Sequence, residues 1–195
     1  MTEKERKVKT FTSKDIESEL NRVKYKEKYG RTLRSTVYTL ITVSAIAILV
    51  ATLFLPILQI YGTSMAPTLQ DGDIVLTVKT SKFETGDVIA FYYNNKILVK
   101  RVIATSGDWV NMDEDGDVTV NGNMLYEPYI VDKSVGECNI DFPYQVPEER
   151  LFVMGDHRSV SIDSRSTTIG CISQEQIVGK LEFRLWPFGV WGVIE

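Results

Sequence analysis

Ser64, Lys100 and His157 are the side chains whose types and settings suit acyl-transfer chemistry. Ser64 lies in Tyr61-Gly62-Thr63-Ser64-Met65-Ala66-Pro67-Thr68-Leu69. Gly62 lets the backbone bend and Pro67 fixes it, which suits a hydroxyl held out rather than packed away. On its own the stretch reads more simply as a linker after an apolar segment. A serine hydroxyl is a weak nucleophile and needs a base. His157 is the chain's single histidine, but it stands between Asp156 and Arg158 in a loop-like stretch and reads as a solvated or structural side chain. Lys100 is the better candidate. In Ile97-Leu98-Val99-Lys100-Arg101-Val102-Ile103, strand alternation puts it on the face of Leu98 and Val102, with Arg101 on the other. An ammonium among aliphatic groups is penalised, so its pKa falls. To act as a base near neutrality its pKa must fall by about 3, or roughly 4 kcal/mol, which burial can supply. An edge-strand lysine whose stem covers apolar surface while its head reaches water fits the same segment, and that choice stays open on these residues alone. A third stretch, residues 154–165, gathers Gly155, Asp156, Arg158, Ser161, Asp163 and Arg165 between apolar strands. It reads either as a set of charges and hydroxyls fixed near a site or as a surface loop.

The elements that position these residues follow from the texture of the 195-residue chain. Residues 1–34 carry eleven Lys/Arg against six Asp/Glu, and no charge occurs from Ser35 to Gln70; with a net charge of -4, the remainder holds -9. A helix is expected after the cap-like Ser13, ending near Gly30. Residues 37–58 have only Tyr38, Thr39, Thr42, Ser44 and Thr52 as polar members, and about 20 such residues cross a hydrocarbon core as a helix. At 34 residues the head is too long, and the apolar core too extended, for a cleaved leader. Lys24, Lys26, Lys28, Arg31 and Arg34 flank the span on one side, and Asp71 and Asp73 are the first charges beyond it. The positive-inside rule then puts the head in the cytoplasm and Ser64 outside. Three parts are expected: a cytoplasmic segment (1–34), a transmembrane anchor helix (35–60) and an extracytoplasmic β domain (61–195). Within the last, strands are expected at 73–78, 87–93, 96–104, 109–112, 117–120, 124–126, 150–154 and 177–186, with an Asn94-Asn95 hairpin turn and an irregular excursion over 127–147.

Several function classes are excluded or disfavoured. The acidic body argues against a nucleic-acid partner, which would need clustered Lys/Arg. Cys138 and Cys171 match neither a C-x-x-C pair nor a zinc spacing, and they read either as a disulfide or as two free thiols. The run 113–117 lacks the spacing of an EF-hand and reads as a solvated hairpin turn. No cofactor and no metal are expected. No Ser-x-x-Lys occurs, which counts against the penicillin-binding class.

Taken together, the three stretches resemble the bacterial type I signal peptidases, and the glycine at position 62 is similar to their Gram-positive branch. The serine motif stands as Ser64-Met65-Ala66-Pro67-Thr68-Leu69 and the lysine motif as Val99-Lys100-Arg101-Val102-Ile103. The last motif stands as Gly155-Asp156-His157-Arg158, continuing to Ser161-Ile162-Asp163-Ser164-Arg165, and the resemblance extends to Arg184-Leu185-Trp186-Pro187. It implies a mainly β fold of antiparallel sheets with one N-terminal transmembrane helix. It also implies a membrane-anchored endopeptidase whose partners are preprotein signal peptides and membrane lipid, cut after small residues. By it, Ser64 is the nucleophile, Lys100 the general base, and Ser161 a hydrogen-bond partner of the lysine. Asp163 with Arg165, and Arg101 with Asp156, are bracing charge pairs, while Ile60, Gly62, Met65, Leu69 and Val99 face the substrate. His157 stands where asparagine is usual, and Ala104-Thr105-Ser106 replaces the customary glycine, apolar residue and proline. A relative that had lost catalysis would lack Ser64 or Lys100; both are present.

Overall fold

The computed structural model describes residues 13–194, so the first twelve residues of the expected cytoplasmic segment lie outside the described part. Helix α1 runs unbroken over Ser13–Phe54. It passes through Gly30, where an end was expected: one interior glycine costs only about 1 kcal/mol against alanine, and no proline follows until Pro56. The helix expected to reach residue 60 stops at Phe54, because Pro56 lacks the N–H a helix needs and disfavours helical geometry at Leu55. The apolar part of α1 is long enough to cross a membrane, with a mean hydropathy of 2.1 in its best window and none of that window buried.

The β domain is built from twelve strands among the described residues. They are β1 (Ile57–Gln59), β2 (Ile74–Val78), β3 (Val88–Tyr93), β4 (Lys96–Ala104), β5 (Trp109–Met112), β6 (Val118–Val120), β7 (Asn123–Met124), β8 (Tyr144–Gln145), β9 (Arg150–Met154), β10 (Ile172–Ser173), β11 (Ile177–Trp186) and β12 (Gly192–Val193). The larger sheet has the order β1-β2-β11-β3-β4-β9-β10, with β12 added to β11. The smaller is β7-β6-β5-β8. Every pairing is antiparallel, as expected of a mainly β chain. Asn94 takes a positive φ of 53° at the tip of the β3–β4 hairpin, a conformation asparagine tolerates better than most residues. The 113–117 run closes β5 onto β6, with Asp113 Oδ1 accepting the N–H groups of Asp115 and Asp117.

Three apolar clusters fix the sheets. One packs Phe152, Ile103, Val110 and Met154 beneath the smaller sheet, and it includes both Cys171 and the partly buried Cys138, which are free thiols. The second holds Ile60, Met65, Leu69, Val75, Val88, Ala90 and Leu181. The third holds Ile89, Phe91, Val102 and Val153 with Leu98 packed against it. Val99 joins the second cluster while Leu98 and Val102 join the third, which is the two-residue alternation of β4 seen from its neighbours.

The sheet leaves two facing edges open. β1 ends the larger sheet, and β9 pairs only with Arg101, Val102 and Ala104 of β4, so the first half of β4 has its outer edge free. Phe152 is fully buried and meets Phe142 edge-on and Tyr144 at a tilt, at centroid distances of 6.5 and 5.9 Å. Phe152→Ala should therefore destabilise the domain by about 3–5 kcal/mol, read as a lowered urea midpoint with little change in slope.

Candidate active site

Ser64 is carried by the chain leaving β1. Ile60 continues the β1–β2 ladder through the Ile60 N–H to Asp73 carbonyl bond (2.8 Å) and the Gly72 N–H to Ile60 carbonyl bond (2.9 Å). Gly62 then turns at a φ of +90°, and its N–H is held by Asp71 Oδ1 at 2.7 Å. The turn over 63–69 is anchored by Met65 and Leu69, both in the second apolar cluster. From the opposite wall the N–H of His157 donates to the Ser64 carbonyl at 3.1 Å.

Lys100 comes from the middle of β4 and is only 4% exposed. Its Nζ lies 2.7 Å from Ser64 Oγ. Burial pulls its pKa from 10.5 down to about 8, against the opposing charge of Asp163; Arg165 lowers it further and Asp156 raises it. At neutral pH an appreciable minority of the amine is thus already unprotonated beside the hydroxyl.

Around this pair sit the expected charge pairs. Arg101 makes a two-pronged bond to Asp156, Nε to Oδ1 at 2.9 Å and Nη2 to Oδ2 at 2.7 Å, with both side chains 1% exposed. Arg165 does the same to Asp163, with both bonds at 2.8 Å and neither side chain exposed. Asp163 also accepts the Gly155 N–H at 2.9 Å. Thr68 donates its hydroxyl to Asp156, tying the serine turn to the same carboxylate.

Not every expected contact forms. Ser161 is buried, but its Oγ makes no hydrogen bond, so the expected bond to Lys100 is absent; the lysine amine is engaged with Ser64 instead. The His157 ring reaches the Thr63 carbonyl (Nδ1···O 3.3 Å), at the back of the serine turn. Leu69 is fully buried behind Ile60 and Met65 rather than facing the open groove. Thr105 and Asp108 close the unusual 104–106 loop, the Thr105 N–H and hydroxyl both donating to Asp108 Oδ2 at 2.8 Å.

Ser64 and Lys100 open into a groove of about 780 Å³ between the free edges of β1 and β4. Leu58, Ile60, Met65, Leu98 and Val99 give it apolar walls, and Gly62 lines it near the serine. Gly155 belongs to the last motif, and the structure gives it a steric reason, whereas Glu127 and Tyr129 carry no signal of a role in the sequence itself. Gly155 leaves no room for a side chain, since a Cβ there would lie 2.5 Å from the Ser64 carbonyl oxygen and 2.3 Å from Ser161 Oγ. Glu127 and Tyr129 stand against Arg158 and Arg101 respectively, and nothing in their own stretch announces it.

A hydroxyl held against a desolvated amine, at the end of an apolar groove in a β domain, is an arrangement suited to acyl-transfer chemistry. Residues 33–186 match the model of the signal peptidase, peptidase S26 family, and the chain belongs to that family. Signal peptidase IB of Staphylococcus aureus is 40% identical over 149 residues, covering 66% of this chain and 76% of that protein. Signal peptidase I of Bacillus licheniformis is 38% identical over 151 residues, covering 71% and 80%. A crystal structure of a signal peptidase I from Enterococcus faecalis V583 aligns at a TM-score of 0.43 and 28% identity, over 53% of this chain and 99% of that one.

Two outcomes follow from the geometry. Because the folded pKa of Lys100 lies below the unfolded 10.5, the folded state binds fewer protons between pH 8 and 10.5 and gains stability as pH rises through that window. Lys100→Met should therefore be more stable than the parent by up to about 3 kcal/mol at pH 7, with the gap closing towards pH 10.5 in urea unfolding. Gly155→Ala should force the serine turn outward and cost about 1–3 kcal/mol, seen in the same measurement, with loss of hydrolytic activity.

Proposed function

We propose that the protein is a membrane-anchored endopeptidase that removes signal peptides from exported preproteins, cutting after small residues with Ser64 as nucleophile and Lys100 as general base. The observation that carries this reading is the 2.7 Å approach of Lys100 Nζ to Ser64 Oγ inside a site where burial holds the amine near pKa 8. Neutral Lys100 takes the proton of Ser64 as Oγ attacks the scissile carbonyl. The tetrahedral oxyanion is received by the Ser64 N–H, since the Gly62 N–H is committed to Asp71. The protonated amine then gives its proton to the leaving nitrogen, the acyl–Ser64 ester remains, and Lys100 next activates the water that hydrolyses it.

The two free edges support a substrate bound as an extra strand: main-chain groups of β1 and of the first half of β4 face the groove unpaired by a neighbouring strand. Ile60, Met65 and Val99 narrow it near the serine, which favours small side chains before the cut. Asp156, Arg101, Asp163 and Arg165 brace the pair by fixed charge, and Ser161, one hydroxyl with a free hydrogen-bonding capacity beside Gly155, receives the lysine once Ser64 is acylated. Membrane anchoring by α1, with the head cytoplasmic and the β domain extracytoplasmic, rests on its apolar length and its basic flank. Only Leu55 and Pro56 separate α1 from the strand that leads to Ser64.

Cleavage of a purified preprotein tests the reading. Ser64→Ala and Lys100→Met should each lower the rate by more than about a thousandfold, while His157→Asn should stay within about threefold, because its ring serves only the back of the serine turn. Wild-type rates in both dyad variants would contradict it.

A further inference from the structure

Three guanidiniums, Arg101, Arg158 and Arg165, are buried to 1% exposure or less around the Ser64–Lys100 pair. Two of them are answered by Asp156 and Asp163. Arg158 is answered by neither; its partner is Glu127, which reaches in from the irregular 127–147 excursion with a side chain only 5% exposed. The second bond of that pair, Arg158 Nη1 to Glu127 Oε2, measures 3.3 Å. Glu127 is thus the third carboxylate that balances the third guanidinium, and a buried charge left without its partner is strongly unfavourable.

The same segment touches the other two arginines. The Tyr129 ring lies against Arg101, whose guanidinium carbon is 3.9 Å from the ring centroid. The Tyr129 hydroxyl donates to Glu127 Oε1 at 3.1 Å, and burial, followed by the charge of Glu127, raises its pKa so that it stays a donor. Arg165 Nη1 donates to the carbonyls of Ser134 (3.2 Å) and Val135 (2.7 Å). Gly136 crosses so closely that a Cβ there would lie 2.4 Å from the Arg158 carbonyl oxygen.

Each contact continues inward. Arg158 Nε donates to the Gly155 carbonyl at 3.2 Å, and Gly155 is the residue on which the Ser64 carbonyl rests. Arg101 holds Asp156, and Asp156 holds Thr68 of the serine turn. Arg165 holds Asp163, whose charge acts on Lys100.

We propose that residues 127–136 form a strap whose Glu127 and Tyr129 are positioning residues for the Ser64–Lys100 pair, acting through Arg158–Gly155 and Arg101–Asp156. This rests on the Ser/Lys reading of the site. None of residues 127–136 lines the groove, so the strap sets the alignment of hydroxyl and amine rather than substrate affinity.

The test uses the full chain in detergent micelles and an internally quenched peptide with alanine at the first and third positions before the cut. Glu127→Gln keeps the shape and removes the charge; Tyr129→Leu removes the ring face. Each should lower kcat about tenfold with KM within about twofold, as a small misalignment of reacting groups does. Tyr129→Phe restores the ring and should bring kcat back to within about threefold of the parent. Ser64→Ala is run alongside: activity surviving in it would sink the Ser/Lys reading, whereas an inactive Ser64→Ala beside unchanged kcat in Glu127→Gln and Tyr129→Leu would sink the strap alone. A loss that appears chiefly in KM, a loss equal in the Phe and Leu variants, or a loss seen only with collapse of cooperative unfolding in both Glu127→Gln and Tyr129→Leu would also overturn it.

Discussion

An amine that is to accept a proton near neutral pH must be taken out of water, and in this chain the arrangement around Lys100 does that. Desolvation is the largest influence on the lysine, outweighing the carboxylates Asp163 and Asp156 that favour its charged form. The cost falls on the fold, since every tenfold weakening of the amine's hold on its proton takes about 1.4 kcal/mol. Apolar clusters on both faces of the larger sheet offset it, through Met65, Leu69, Ala90 and Leu181 on one side and Ile89, Phe91, Val102 and Val153 on the other. The lysine lies on β4 between them, its backbone paired with Ile89 of β3 on one side and its side chain at the end of the groove.

Desolvation alone would leave the amine without direction, and the buried charges supply it. Three guanidiniums and three carboxylates are packed around the Ser64 hydroxyl and the Lys100 amine, all six nearly inaccessible to solvent. Buried ion pairs of this kind contribute little net stability, because desolvation cancels most of their attraction. Their two-pronged geometry instead fixes orientation, which is what a hydroxyl and an amine 2.7 Å apart require.

Much of this was legible in the sequence, for reasons that can be named. β4 was expected at residues 96–104 and occupies them, because an Asn-Asn turn marks its start and a run rich in β-branched and aliphatic residues follows. β1 was hidden inside an apolar run that composition cannot divide into helix and strand; only Pro56 marks the change. Leu69 was placed facing substrate by the resemblance alone, since a turn has no alternation from which to infer facing, and its side chain is fully buried in the second apolar cluster. The free state of Cys138 and Cys171, which share one apolar cluster, depends on three-dimensional geometry that spacing does not carry. Glu127 was invisible for a simpler reason. Its partner Arg158 is 31 residues away, and a charge in an irregular stretch reads as solvated until the fold brings it to its partner.

The central claim is that burial, opposed only in part by Asp163 and Asp156, holds the Lys100 amine far below the range of a free lysine. Direct titration by NMR of the Lys100 side chain, labelled at Cε and Nζ and followed in the resting enzyme, tests it without reference to any substrate. A midpoint near pH 8 is the predicted result. A midpoint at the ordinary 10.5 would mean that the amine is solvated, and the account of the site would be wrong.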